Sequence, residues 1–308
     1  MQRVLLATDG STHADHAAWL LSHLPHEDHL HITVLTVLQV PEVHFAYPTA
    51  GWISECLERE REDALSAFSK IEEMFEGANV TLEHCLKEGH RARQIVDLAE
   101  KRGVDLIVLG ARGRSAVDRI LLGSVSDYVA TQAPCSVLVV RESDTRQTKR
   151  PLKVTIAYEA TGPARAALEE FGEFGWGPNV SVDVVTVVSP PPHFLGETFA
   201  DLEASLEQAK RDGEEAVTAV VPVAPAARSL VIQNQHVGDG LVRHLETQEA
   251  DLVVVGETKR HLLGRVLLGS VSLFVLRHAP CSVWITRNRI IRGAAKKDTA
   301  DAAVPADN

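Results

Sequence analysis

Two stretches of this 308-residue sequence combine residue types suited to holding a phosphate chain. Gly110-Ala111-Arg112-Gly113 is followed, nine residues later, by Gly123-Ser124-Val125. Glycines after a strand let the backbone turn tightly with its N–H groups exposed, because no Cβ stands in the way of a phosphate. Gly123, Ser124 and Val125 open a helix, whose unpaired N–H groups and positive dipole end attract anions. Arg112 and Arg114 could add charge, although a solvated placement suits them better than an essential one. Asp9 closes the first apolar run, where it could accept hydrogen bonds from a ribose hydroxyl or an adenine amine. Each piece alone has a plainer reading, as turn glycines or as a helix-capping aspartate. The complete spacing favours a polyphosphate site.

The surrounding elements would have to present these residues together. Residues 4–8 form a continuous apolar run, as expected of a strand buried on both faces of a parallel sheet. Ser11 is a suitable N-cap for a helix over 12–24. Strands are predicted over 32–40, 80–86, 106–109 and 136–140. Helices are predicted over 52–76, 92–101 (ended by Gly103) and 123–131. The first of these should bury Ile53, Leu57, Leu65, Phe68 and Ile71. Strands alternating with helices imply a doubly wound parallel sheet covered on both faces. Ligands of such sheets sit at the carboxyl ends of the strands, near a switch in strand order.

Self-comparison shows that the pattern occurs twice. Residues 103–140 align without a gap with 249–286, an offset of 146, sharing LLGSVS and APCSV; residues 4–10 correspond to 154–160 at an offset of 150. Each unit is domain-sized, with second-unit strands expected near 152–157, 180–188, 227–233, 252–255 and 282–286. The expected architecture is therefore α/β, with two tandem doubly wound parallel sheets of five strands each. The domains should run over 1–141 and 152–288, joined by the charged linker RESDTRQTKRP, with 289–308 a disordered tail. The final strands, 136–140 and 282–286, would each leave an apolar sheet edge bare, so they should pair with each other.

The formal net charge of −11 and the lack of a basic stripe argue against nucleic-acid binding. No stretch approaches the roughly 18 apolar residues of a membrane span. Cys56, Cys85, Cys135 and Cys281 lie far apart, which points to a reducing cytoplasmic setting. Cys135 and Cys281 read as core residues rather than reactive thiols. His13 and His16 lie three apart at a helix start. Among 14 histidines, surface solvation suits them better than metal ligation, so no metal site is expected. The run SPPPHFL at 189–195 reads as a rigid loop over the site or a partner surface.

The G-x2-G-x9-G-[ST] pattern, with ATDGS after the first strand and the APCSVLVV ending, resembles the universal stress protein (UspA-like) family in its tandem form. The resemblance spans residues 1–140 and 152–286. It implies a Rossmann-like nucleotide-binding fold in which ATP, alone or with Mg²⁺, meets the aspartate and the glycine loop. It also implies adenine contact with the main chain at the end of the second strand, here Val37. Members regulate stress and energy responses and often dimerise through the last strand, so a homodimer and an unidentified protein partner are expected. The second unit departs from the pattern. Glu159 stands for Asp9 and Lys259 for Gly113, while Gly256, Gly269 and Ser270 are retained and Val187 matches Val37. A second site built from these residues is doubtful.

The leading expectation is thus a non-enzymatic ATP-binding regulator. A slow ATPase or nucleotidyl-transfer enzyme using the same site is the alternative, although neither a Walker motif nor a carboxylate–histidine pair near the loop supports it. A flavin or dinucleotide binder would need G-x-G-x-x-G after the first strand, which is missing.

Overall fold

The computed structural model describes residues 1–38, 50–113, 122–142, 150–190, 199–257, 260–262 and 265–287. The first repeat runs β1 (Arg3–Thr8), α1 (Thr12–His23), β2 (Leu30–Leu38), α2 (Ala50–Met74), β3 (Val80–Glu88), α3 (Arg91–Arg102), β4 (Leu106–Gly110), α4 (Ser124–Gln132) and β5 (Ser136–Val140). The second runs β6 (Leu152–Ala157), α5 (Gly162–Gly172), β7 (Val180–Val188), α6 (Phe199–Val220), β8 (Arg228–Gln233), α7 (Val237–Gln248) and β9 (Leu252–Gly256). It continues with β10 (Arg260–Leu262), β11 (Arg265–Leu267), α8 (Ser270–His278) and β12 (Ser282–Thr286).

Within each repeat the five principal strands are parallel, and the order β3-β2-β1-β4-β5 places β1 at the centre. Every residue of β4 and β5 is buried, because helices cover both faces and leave no side of the strand for polar residues. The outermost strands β3 and β8 carry mixed polar sequences and are largely half-exposed. Ser11 caps α1 as expected, its Oγ accepting from the Ala14 N–H at 3.3 Å. Gly103 ends α3 in the left-handed conformation, at φ 60°.

The expected pair of five-stranded sheets is joined into one sheet of ten. β5 and β12 meet antiparallel, with Val139 opposite Val283 and Leu138 opposite Trp284, so neither apolar edge is bare. A buried clasp with approximate two-fold symmetry holds this seam. Arg141 donates to the Ser282 hydroxyl and to the carbonyls of Leu276 and Cys281. Arg287 donates to the equivalent Ser136 hydroxyl and Ala130 and Cys135 carbonyls. The clasp is unequal in charge. Arg287 also pairs with buried Glu257 at 2.9 Å, whereas Arg141 has no carboxylate partner among the described residues, and burial above all lowers its pKa.

Two details differ from the sequence reading. Ile71 is buried as expected and Leu57 and Phe68 are half-buried, but Leu65 is 55% exposed, and α2 buries Ala64 and Ala67 with Phe75 beyond it, since a helical stripe advancing by three and four residues passes Leu65 by. The β10–β11 hairpin was not anticipated and lies outside the main sheet. Residues 39–49, 191–198 (with most of SPPPHFL) and the tail 288–308 fall outside the described residues, as do Arg114 and Lys259.

Candidate functional site

β1 is the point at which strand order reverses, with β2 on one side and β4 on the other. At the carboxyl ends of β1 and β4 the structure has a cavity of about 660 Å³, within the roughly 300–1,000 Å³ usual for ligand sites. Its wall contains Asp9, Val37, Gly110, Arg112, Gly113, Gly123, Ser124 and Val125. All the first-repeat residues singled out in the sequence thus share one cavity, apart from Arg114, which lies outside the described residues.

Local chemistry explains how these residues are held. Gly10 turns the chain after β1 at φ 71°, and Asp9 Oδ1 accepts from the Ser11 N–H at 3.1 Å. The end of β4 is tied to the start of α4 twice. The Gly123 N–H donates to the Ala111 carbonyl at 2.8 Å, and Ser126 Oγ to the Gly110 carbonyl at 2.8 Å. The second repeat copies this tie, Ser272 Oγ donating to the Gly256 carbonyl at 2.9 Å.

The glycines leave room for protein rather than for phosphate alone, which refines the sequence reading. A Cβ on Gly110 would lie 2.8 Å from the His13 carbonyl oxygen, and one on Gly256 would lie 2.5 Å from that of Pro163. Both glycines therefore let the first helix of their repeat pack against the strand. A Cβ on Gly113 would lie 2.5 Å from Asp9 Oδ2, so Gly113 makes room for the aspartate. None of the three has a positive φ, so backbone strain is not what requires glycine there.

Sequence reasoning missed two cationic residues of the wall. Arg91, at the head of α3, and Arg277, in the last turn of α8 of the other repeat, both line the cavity. Arg91 Nε is buried and makes no hydrogen bond among the described residues, a costly state for a cationic donor unless an acceptor is supplied. Arg277 Nε donates to Asp127 Oδ1 at 3.0 Å across the junction of the repeats. Asp127 is in the first turn of α4, and this ion pair offsets a carboxylate that would otherwise oppose an anion there.

The matching cavity of the second repeat has about 260 Å³ and includes Glu159, Val187, Gly256, Gly269 and Ser270 in its wall. Its only charged wall residue among those described is Glu159. Val237 stands where the first repeat has Arg91, and the repeat partner of Arg277 is Thr131, whose hydroxyl is turned to its own helix carbonyls.

The universal stress protein family profile matches residues 1–141 and again 152–287. The chain belongs to the universal stress protein family. Universal stress protein MJ0531 of Methanocaldococcus jannaschii is 34% identical over 143 residues, covering 46% of this chain and 82% of its own. Universal stress protein Mb2346c of Mycobacterium bovis is 23% identical over 273 residues, covering 83% of this chain and 90% of its own. A crystal structure of a universal stress protein from Archaeoglobus fulgidus matches 93% of this chain and 96% of its own with a TM-score of 0.63; at 19% identity it shows the same fold. The duplicated arrangement is thus that of a tandem universal stress protein. No helix among the described residues is long and apolar enough to cross a membrane.

Proposed function

We propose that this tandem universal stress protein binds one ATP, in the first-repeat cavity, and acts as a cytoplasmic regulator through nucleotide-dependent conformation or assembly. The observation that carries the reading is the cavity that brings Arg91, whose Nε makes no hydrogen bond among the described residues, together with Arg112 and the start of α4. A polyphosphate would place its negative charge beside the Arg91 and Arg112 side chains of the wall, and the helix N-terminus favours the same charge. Asp9 would take the ribose or adenine donors, and the Val37 main chain would meet the adenine edge. Bound nucleotide would contribute its charge and its hydrolysable phosphates; the chain contributes binding and orientation. Arg277 couples occupancy of this site to the second repeat, because its helix belongs there.

The smaller second cavity, with an acidic wall residue and no cation among those described, supports one site per chain. Calorimetric titration of the full chain with ATP should give a stoichiometry of one. Asp9→Ala should weaken binding roughly 10- to 150-fold. Arg91→Ala should weaken ATP far more than adenosine. Two equivalent sites, or equal losses for ATP and adenosine in Arg91→Ala, would refute the reading.

A further inference from the structure

Outside the cavity, one cluster of metal-type donors among the described residues has no part in the reading above. His13 and His16 are on the first two turns of α1, and Glu142 follows the end of β5. One imidazole nitrogen from each histidine and one Glu142 carboxylate oxygen all lie within 4.8 Å of one another. Residues three apart share a helix face, and α1 packs across β4 and β5, so that face meets the chain as it leaves the sheet.

Both elements are anchored independently of the cluster. Ser11 caps α1. Arg141, directly before Glu142, is buried and held by the Ser282 hydroxyl at 3.1 Å and the Leu276 carbonyl at 2.7 Å. The histidines are half-buried, unlike the solvated surface pair expected from sequence. A tetrahedral ion with bonds of about 2.0–2.1 Å holds its ligands about 3.3 Å apart. The cluster must therefore contract by up to about 1.5 Å (4.8 − 3.3), a side-chain movement open to the exposed Glu142.

The repeat supplies a second, independent observation. At the offset of 150 the second repeat has Pro163 for His13 and Ala166 for His16. Its helix α5 nevertheless forms and packs on β9 as α1 packs on β4. The fold therefore does not require imidazoles at these positions.

We propose that His13, His16 and Glu142 form a divalent transition-metal site, present in the first repeat and absent from the second. Two imidazoles and a carboxylate suit zinc and its neighbours over magnesium or calcium, which prefer all-oxygen sets. Three protein ligands leave a fourth position open to water or an exchangeable ligand.

The test uses the full chain without a histidine tag, stripped with chelator, then titrated with Zn²⁺ by calorimetry and with Co²⁺ by visible absorption. One site per chain with a tetrahedral Co²⁺ spectrum is expected. His13→Ala/His16→Ala should abolish it. Glu142→Gln, at an exposed position that the fold tolerates, should weaken it by at least the roughly 10–100-fold that loss of an outer-shell partner costs. A control pair, His29→Ala/His31→Ala, should leave it unchanged; His29 is already engaged by Asn79 and Thr81. The proposal is overturned if no stoichiometric site appears, if Glu142→Gln binds Zn²⁺ as the parent does, or if the control pair removes the site.

Discussion

Replacing Gly113 by alanine separates a site residue from a structural one. The new Cβ would stand 2.5 Å from Asp9 Oδ2 and 3.6 Å from its Cγ. Ordinary contact begins at 3.4 Å, so the carboxylate must retreat by about 0.9 Å (3.4 − 2.5). It sits at the end of a rotatable side chain, so folding stability should change by no more than about 0.5 kcal/mol. A nucleotide that relies on Asp9 loses much more. A hydrogen bond to a charged group contributes about 1.5–3 kcal/mol, so ATP affinity should fall roughly 10- to 150-fold. Because the effect passes through Asp9, it should vanish where Asp9 is already gone. Calorimetric ATP titration of Gly113→Ala, Asp9→Ala and the double variant forms a thermodynamic cycle. The double variant should bind no worse than Asp9→Ala. Parent-like affinity in Gly113→Ala, or strictly additive losses, would refute the reasoning.

The seam and the second repeat offer further tests. Arg287→Met leaves Glu257 buried without its ion-pair partner, both side chains being at most 3% exposed. It should lower stability by about 3–5 kcal/mol, read from urea unfolding, with Arg287→Met/Glu257→Met recovering much of the loss. Asp183 on β7 is pushed up by burial, but His244 and Arg228 more than offset this and hold its pKa at about 2. Its stabilising contribution is therefore complete above its unfolded value near 3.8 and is lost as pH falls from there through about 2. Arg228 is 59% exposed, and solvent screening reduces the effect to about 1–2 kcal/mol. Asp183→Asn should show that deficit in unfolding at pH 6 and lose it near pH 2.

Much of this was legible in the sequence because it is written in local pattern. The apolar runs of β1, β4 and β5 have no polar face to confuse the strand reading, and Ser11 and Gly103 mark helix ends by backbone chemistry that acts over a few residues. The same holds for Asp9, Gly110, Gly113 and Gly123, which end or begin elements adjoining the switch in strand order. What escaped depends on contacts between distant parts of the chain. Arg91 reaches the cavity because α3 crosses back over the sheet, and only its replacement by Val237 in the other repeat could have signalled a role. Arg277 arrives from the second repeat, and Glu142 meets His13 and His16 only once α1 lies over β5. The role of Gly113 depends on where the Asp9 side chain points, which no spacing discloses.

The two repeats diverge where the chemistry is and agree where they join. At the seam, Arg141 and Arg287 bind equivalent hydroxyl and carbonyl groups of the opposite repeat, so neither half can drift without breaking its partner's bonds. At the cavities the correspondence fails where charge is concerned: Asp9 stands against Glu159 and Arg91 against Val237. A duplicated fold with a fixed seam lets one copy lose its ligand groups without losing the sheet, since the seam uses none of them. The second repeat still reaches the first cavity. Helix α8 has Ser270 at the wall of the smaller cavity and Arg277, two turns on, at the wall of the larger. With nine residues and a rise of about 1.5 Å each, it is short and stiff enough to carry a shift at one end to the other. The ion pair of Arg277 with Asp127 is the contact through which such a shift would be felt, because Asp127 belongs to the helix whose first residues line the larger cavity.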